Sequence, residues 1–119
     1  MEKSNALTAL AALAQDNRLE TYRLLVQAGP DGMPAGEVAA RLGLPPNTLS
    51  FHFDRLRQAG LVTVRRNGRS MIYAARYDTM NALLGYLTEN CCGDARELCT
   101  PANCAPASAA TEREKETMP

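Results

Sequence analysis

Apolar positions in the first half of the chain recur at three- and four-residue intervals, and this spacing predicts four successive helices. Leu7, Leu10, Leu13 and Ala14 share one face of a first helix that Ser4 or Asn5 can cap, and the many alanines around them make it sticky on more than one side. Asp16 reads as the N-cap of a second helix, with Leu19, Tyr22, Leu25 and Val26 on its buried face and a stop at Gly29-Pro30-Asp31-Gly32. A short third helix is predicted from Ala35 to Leu42, with Val38, Ala39 and Leu42 inward and Gly43 as its break. Pro45 and Pro46 cannot sit inside a helix but can open one, so a fourth should start near Pro46 and run to Gln58, burying Leu49, Phe53 and Leu56.

The period then changes from helical to alternating. Leu61-Val62-Thr63-Val64 reads as a strand, Asn67-Gly68 as a tight hairpin signal, and Ser70-Met71-Ile72-Tyr73 as the returning strand. A last helix, about Asp78 to Asn90, carries Met80, Leu83, Leu84 and Leu87 on a stripe that needs a partner. The expected fold is mainly α with a two-stranded β-hairpin, a winged helix-turn-helix that is homodimeric. Its expected organisation is a DNA-binding and dimerisation domain over 1–90, a cysteine-containing segment over 91–104, and a tail over 105–119. That tail has too few large apolar groups to offset the entropy of ordering it, so it is expected to be disordered.

Composition narrows this picture. A chain of 119 residues fits one domain, and with 5% aromatic residues and no Trp the core of one protomer is thin, which favours a core shared between two. No apolar run approaches the roughly 20 residues that span a bilayer, and Met1-Glu2-Lys3-Ser4 does not open a secretory signal, so no membrane association and a cytoplasmic location are expected. The formal charge is zero, but residues 35–76 hold seven arginines (41, 55, 57, 65, 66, 69 and 76) against Glu37 and Asp54, a net +5. A single His, with no phosphate loop, zinc-protease helix motif or nucleophile elbow, argues against an enzyme.

Two short helices joined by a tight turn and followed by a basic hairpin present the second helix of the pair to the major groove and the hairpin tip to the backbone or minor groove. Asn47, Thr48, Ser50 and Phe51, off the Leu49/Phe53/Leu56 face, are the candidates to reach base edges. Arg55 and Arg57 are placed for phosphates, and Arg65, Arg66 and Arg69 flank the wing tip as positioning charges. His52 is read as a packed residue beside Phe53, or one bonded to backbone, rather than a DNA contact.

The run Leu44-Pro45-Pro46-Asn47-Thr48-Leu49-Ser50-Phe51-His52-Phe53, with Leu56, Ala59-Gly60-Leu61-Val62, Arg65-Arg66, Gly68-Arg69 and Tyr73, resembles the core signature of the ArsR/SmtB repressors. The likeness extends over about residues 5 to 92. It implies a homodimer joined through the first and last helices, bound to half-sites about one helical turn (roughly 34 Å) apart on operator DNA. Two inducer sites of that family are absent here: Gly36-Glu37-Val38-Ala39-Ala40 has no paired cysteines, and the last helix has no His.

What remains is Glu89-Asn90-Cys91-Cys92-Gly93, followed by Cys99 and Cys104, which resembles the arsenic-responsive subgroup with vicinal cysteines at the end of the last helix. Trivalent arsenic prefers three sulfurs, so Cys91, Cys92 and Cys99 are the expected ligands for arsenite, with Cys104 a possible substitute and antimonite a possible second inducer. Gly93 lets the chain turn back toward Cys99. Zinc fits less well, because four thiolates leave a net −2 at a helix C-terminus, whereas three thiols condensing with arsenous acid give a neutral product. A thiol-redox-sensing regulator of the same fold is the alternative.

Overall fold

The computed structural model describes residues 1–91, in which five helices and three short strands follow one another. The order is α1 (Lys3–Leu13), α2 (Asp16–Ala28), β1 (Met33–Pro34), α3 (Ala35–Leu42), α4 (Pro46–Gln58), β2 (Val62–Asn67), β3 (Ser70–Ala75) and α5 (Tyr77–Leu87). The bounds of α3 and α4 are those the sequence predicts. Gly43 adopts the left-handed conformation that closes α3, and Pro46, whose missing N–H is no loss in a first turn, opens α4.

Three sequence expectations shift. Helix α1 starts at Lys3 with Glu2 as its N-cap, and it buries Ala6, Ala9 and Ala12 instead of its leucines. Alanine lets α1 approach α2 and α4 closely, and this turns Leu7 (58% exposed) and Leu10 outward. In α2 the N-cap is Gln15, whose side chain accepts from the Arg18 N–H at 2.9 Å, and Asp16 lies in the first turn. The buried stripe of α2 is Thr21, Tyr22 and Leu25, while Leu19 and Val26 are exposed. Thr21 can occupy the inward line because its hydroxyl donates to the Asn17 carbonyl at 2.7 Å, whereas the buried Tyr22 hydroxyl beside it has no hydrogen-bond partner among the described residues.

The sheet has three strands in the order β1-β3-β2, not two. Met33 pairs with Tyr73 and Pro34 with Ile72, a ladder too short to leave a periodic signal in the sequence. The hairpin register runs from Val62 opposite Ala75 to Asn67 opposite Ser70, so its two-residue loop is Gly68-Arg69, one residue later than Asn67-Gly68 suggests. Gly68, at φ 64°, supplies the positive φ of the first loop position. Helix α5 ends at Leu87, short of the predicted Asn90, and buries Leu83.

The core gathers Leu25, Val38, Leu49, Phe53, Leu56 and Leu61 between α2, α3, α4 and the sheet. Met1–Leu87 form one compact unit. Of a second unit starting at Thr88, the described part is a turn in which the Cys91 N–H donates to the Thr88 carbonyl at 3.0 Å. Cys92, Cys99, Cys104 and the tail over 105–119 lie outside the described residues.

Gly32 joins α2 to β1 at φ +76°, and a Cβ there would collide with the Tyr73 carbonyl oxygen of the central strand. Gly32→Ala is therefore expected to destabilise the fold by about 1–3 kcal/mol through backbone strain, more if the strand must move, as read by urea denaturation. Gly36→Ala, where a Cβ meets nothing within 4 Å, is the neutral comparison.

Candidate nucleic-acid interface

Helix α4 divides cleanly by side. Leu49, His52, Phe53 and Leu56 are buried, which sends Asn47, Ser50, Phe51, Arg55 and Arg57 to solvent and leaves Thr48 half-buried between the two faces. The buried side is fastened to the sheet by a ring stack: Phe53 lies over Tyr73 of β3 with centroids 3.7 Å apart and planes 3° from parallel. The outward side therefore takes its direction from the same strand that carries the wing.

Of the sequence-predicted base readers, Asn47 is in the first turn of α4, where its Oδ1 accepts from the Thr48 N–H at 3.0 Å. Its amide N–H donors remain for a base acceptor, and bidentate reading of adenine requires the Thr48 bond to open. No side chain of Pro45 caps α4, but Pro46 has no N–H and the Thr48 N–H is bonded to Asn47, so of the first three positions only the Asn47 N–H is left for an anion. Phe51 is 51% exposed, and Arg55 rests over its ring at 4.9 Å from the centroid.

The basic residues are not equivalent. Arg41 pairs with Glu37 at 2.8 Å, Arg57 with Asp54 at 3.1 Å and Arg76 with Asp78 at 3.4 Å, all on exposed side chains where such pairs contribute little. Arg65 donates to the Asp31 carbonyl at 3.0 Å, which ties the root of the wing to the α2–β1 turn. Arg66 and Arg69, beside the hairpin loop, hold no ion pair among the described residues. Thus the wing tip and Arg55 carry cations without an ion pair among the described residues, and Arg57 must exchange one anion for another to reach a phosphate.

His52 is packed, as its sequence context suggests, with 5% of its surface exposed. Its partner is not backbone: Nδ1 lies 3.5 Å from Nη1 of Arg18 on α2, and Phe51 meets its ring edge-on. Burial, and secondarily the Arg18 charge, hold its pKa below the usual histidine value, so the ring is neutral and Nδ1 can accept. Arg18 also donates from Nε to the Ala12 carbonyl at 2.7 Å, so one guanidinium joins the end of α1 to the recognition helix. The sequence gives no sign of Arg18, because the contact spans 34 positions.

Among the described residues no group of three or more His, Cys, Asp or Glu is placed to hold a metal, and no helix is long and apolar enough to cross a membrane. Cys91 is disulfide-bonded.

Comparison with known proteins agrees with this geometry. The profile of a family described as a helix-turn-helix domain matches residues 13–65. An uncharacterised HTH-type transcriptional regulator of Bacillus subtilis, YceK, is 35% identical over 77 residues, which cover 64% of this chain and 76% of the relative. The solved structure of HlyU from Vibrio cholerae is 32% identical and superposes with a TM-score of 0.59 over 73% of this chain and 97% of its own. A DNA-binding domain from Mycobacterium bovis, described as a homodimeric winged helix-turn-helix and a possible ArsR-family regulator, is 26% identical with a TM-score of 0.60 over 73% of this chain and 81% of its own.

A neutral buried His52 makes stability depend on pH. Unfolded, the ring titrates near about 6.5; folded, it titrates lower. Its contribution is thus complete above that value and is lost as pH falls from there to the folded pKa. The thermal midpoint should drop between pH 7.5 and 5.5, and the drop should be smaller in His52→Gln; an equal drop in both would place the pH dependence elsewhere.

Proposed function

We propose, from the premise that this chain belongs to the ArsR family of winged helix-turn-helix transcriptional regulators, that it is a homodimeric repressor released from its operator by trivalent arsenic. That it is a DNA-binding transcriptional regulator and not an enzyme follows from the family. The observation carrying the DNA-reading half is the α4 face over which Asn47, Ser50, Phe51 and Arg55 are exposed beside a wing whose Arg66 and Arg69 hold no ion pair among the described residues. Asn47, Thr48, Ser50 and Phe51 reach base edges, while Arg55, Arg57, Arg65, Arg66 and Arg69 hold the backbone. Dimerisation through α1 and α5 covers the exposed Leu7, Leu10 and Leu87, consistent with the homodimeric relative from Mycobacterium bovis.

The sensing half rests on cysteine chemistry. Cys91 and Cys92 follow α5 closely, with Cys99 and Cys104 after them. Once a thiol reductant has opened the Cys91 disulfide and been oxidised to its own disulfide, three thiols condense with arsenous acid to give three As–S bonds and release three waters, a step with no change of oxidation state. Cys91, Cys92 and Cys99 are the assigned ligands, and antimonite fits the same sulfur donors. Closure of that loop reorganises the end of a dimer helix and changes the spacing of the recognition helices, at a coupling of about 1–3 kcal/mol. By reciprocity, operator DNA weakens arsenite binding by the same factor.

A second reading is favoured by the disulfide at Cys91: oxidation of two thiols to a disulfide, with a peroxide as the two-electron acceptor, is the sensed event. HlyU, solved also in a form described as reduced, is a relative for which redox state is a variable.

Two measurements test this. Arg69→Ala should weaken DNA binding and lower the slope of log K against log salt by about two for the dimer, one contact being lost in each protomer, whereas Arg57→Ala, already paired with Asp54, should change the slope less. Arsenite titrated in a phosphine reductant against the complex with upstream promoter DNA, followed by anisotropy, should release the wild type and the Cys104→Ser variant but not Cys91→Ser. If arsenite releases none and peroxide releases the wild type, the redox reading replaces the arsenic one.

A further inference from the structure

A concave pocket of about 490 Å³ lies between the end of α1, the start of α2 and the outer side of α4. Ala11, Ala12 and Ala59 give it small apolar lining, Arg18, Arg55 and Phe51 supply charge and an aromatic face, and the polar Thr8 and Gln58 complete it, with a donor already given to the Ser4 carbonyl and to Asp54 respectively. We propose that this pocket binds a small organic anion, a carboxylate carried on a flat apolar body, and that its occupancy lowers affinity for DNA. The inference rests on the reading of α4 as the DNA-contacting helix and names a regulation of that same surface.

Arg18 is the anchor. Two of its five N–H donors are engaged, Nε with the Ala12 carbonyl and Nη1 with His52 Nδ1, and both partners are neutral. The guanidinium is therefore held in one orientation with three N–H donors unassigned, and no carboxylate lines the pocket. A half-buried cation without a counter-ion is costly, and one already immobilised loses little further entropy on taking a partner. A planar guanidinium presents the fork that a carboxylate accepts in two parallel bonds.

Arg55 adds a second cation on the facing side. It has no ion pair among the described residues, and its position over Phe51 keeps it near the pocket mouth. The three alanines select against a bare inorganic ion, since they offer apolar surface and no donors, and the volume falls within the range of small-molecule sites. An anion here draws Arg55 away from a DNA phosphate and places negative charge beside the approaching backbone, so ligand and DNA bind in competition.

The test uses the full chain and 2-naphthoate as probe, with neutral 2-naphthalenemethanol and inorganic phosphate as controls, titrated by calorimetry without DNA. Expected is one site per chain tighter than about 1 mM, with the alcohol and phosphate each at least about tenfold weaker and about tenfold loss in Arg18→Gln and in Arg55→Gln. Equal binding of the alcohol, equal binding of phosphate, or indifference to both substitutions overturns the site. If circular dichroism shows that Arg18→Gln is unfolded, the exposed Arg55→Gln decides. In the second arm, naphthoate should raise the apparent Kd of the wild type for promoter DNA, and saturable binding that leaves DNA affinity unchanged overturns the regulatory half. Should the wild type not hold promoter DNA at all, the DNA-reading function fails on its own, and the pocket is still judged by the calorimetry.

Discussion

The stack of Phe53 on Tyr73 is the contact from which the geometry of the reading surface follows. A recognition helix needs one side buried firmly enough to fix the other, and a thirteen-residue helix bearing two prolines at its start has little intrinsic stability to offer. Phe53, with Leu49 and Leu56, supplies the burial, and Tyr73 belongs to the central strand of the sheet. Because β3 pairs with β1 on one side and β2 on the other, the helix, the turn leaving α2 and the wing share one reference. Arg65, bonded to the Asp31 carbonyl, and Gly32, packed against the Tyr73 carbonyl, tighten the same junction.

One residue before Phe53, α4 is held by a different kind of force. There Arg18 bridges the end of α1 and the buried His52, replacing apolar packing with directed bonds. Among the described residues Arg41, Arg57 and Arg76 are paired with carboxylates while Arg55 and the wing-tip Arg66 and Arg69 are not, so the local field is uneven in a way that a net charge conceals.

Much of this was legible in the sequence. Prolines and glycines punctuate α3 and α4 at the observed residues, since those signals act locally through φ and the missing N–H. The outward set on α4 followed from the Leu49, Phe53 and Leu56 spacing. Misreadings arose where tertiary contact chooses between two plausible faces: α1 has both an alanine stripe and a leucine stripe, and periodicity cannot say which one turns inward. Strand β1 exists only because β3 offers it a partner, and Arg18 matters only because folding brings it to His52. Of the candidate sensor, the described residues include Cys91 alone.

All four cysteines come after Leu87, so the compact unit over 1–87 contains no thiol of its own. A cysteine substitution therefore leaves every residue of that unit in place, whereas Phe53 and Leu56 cannot be lost without losing part of its core. Under the proposed sensing role, descendants of such a chain can acquire, move or discard sulfur ligands without altering a residue of the DNA-binding unit, which puts the signal answered and the DNA site recognised on separate evolutionary clocks.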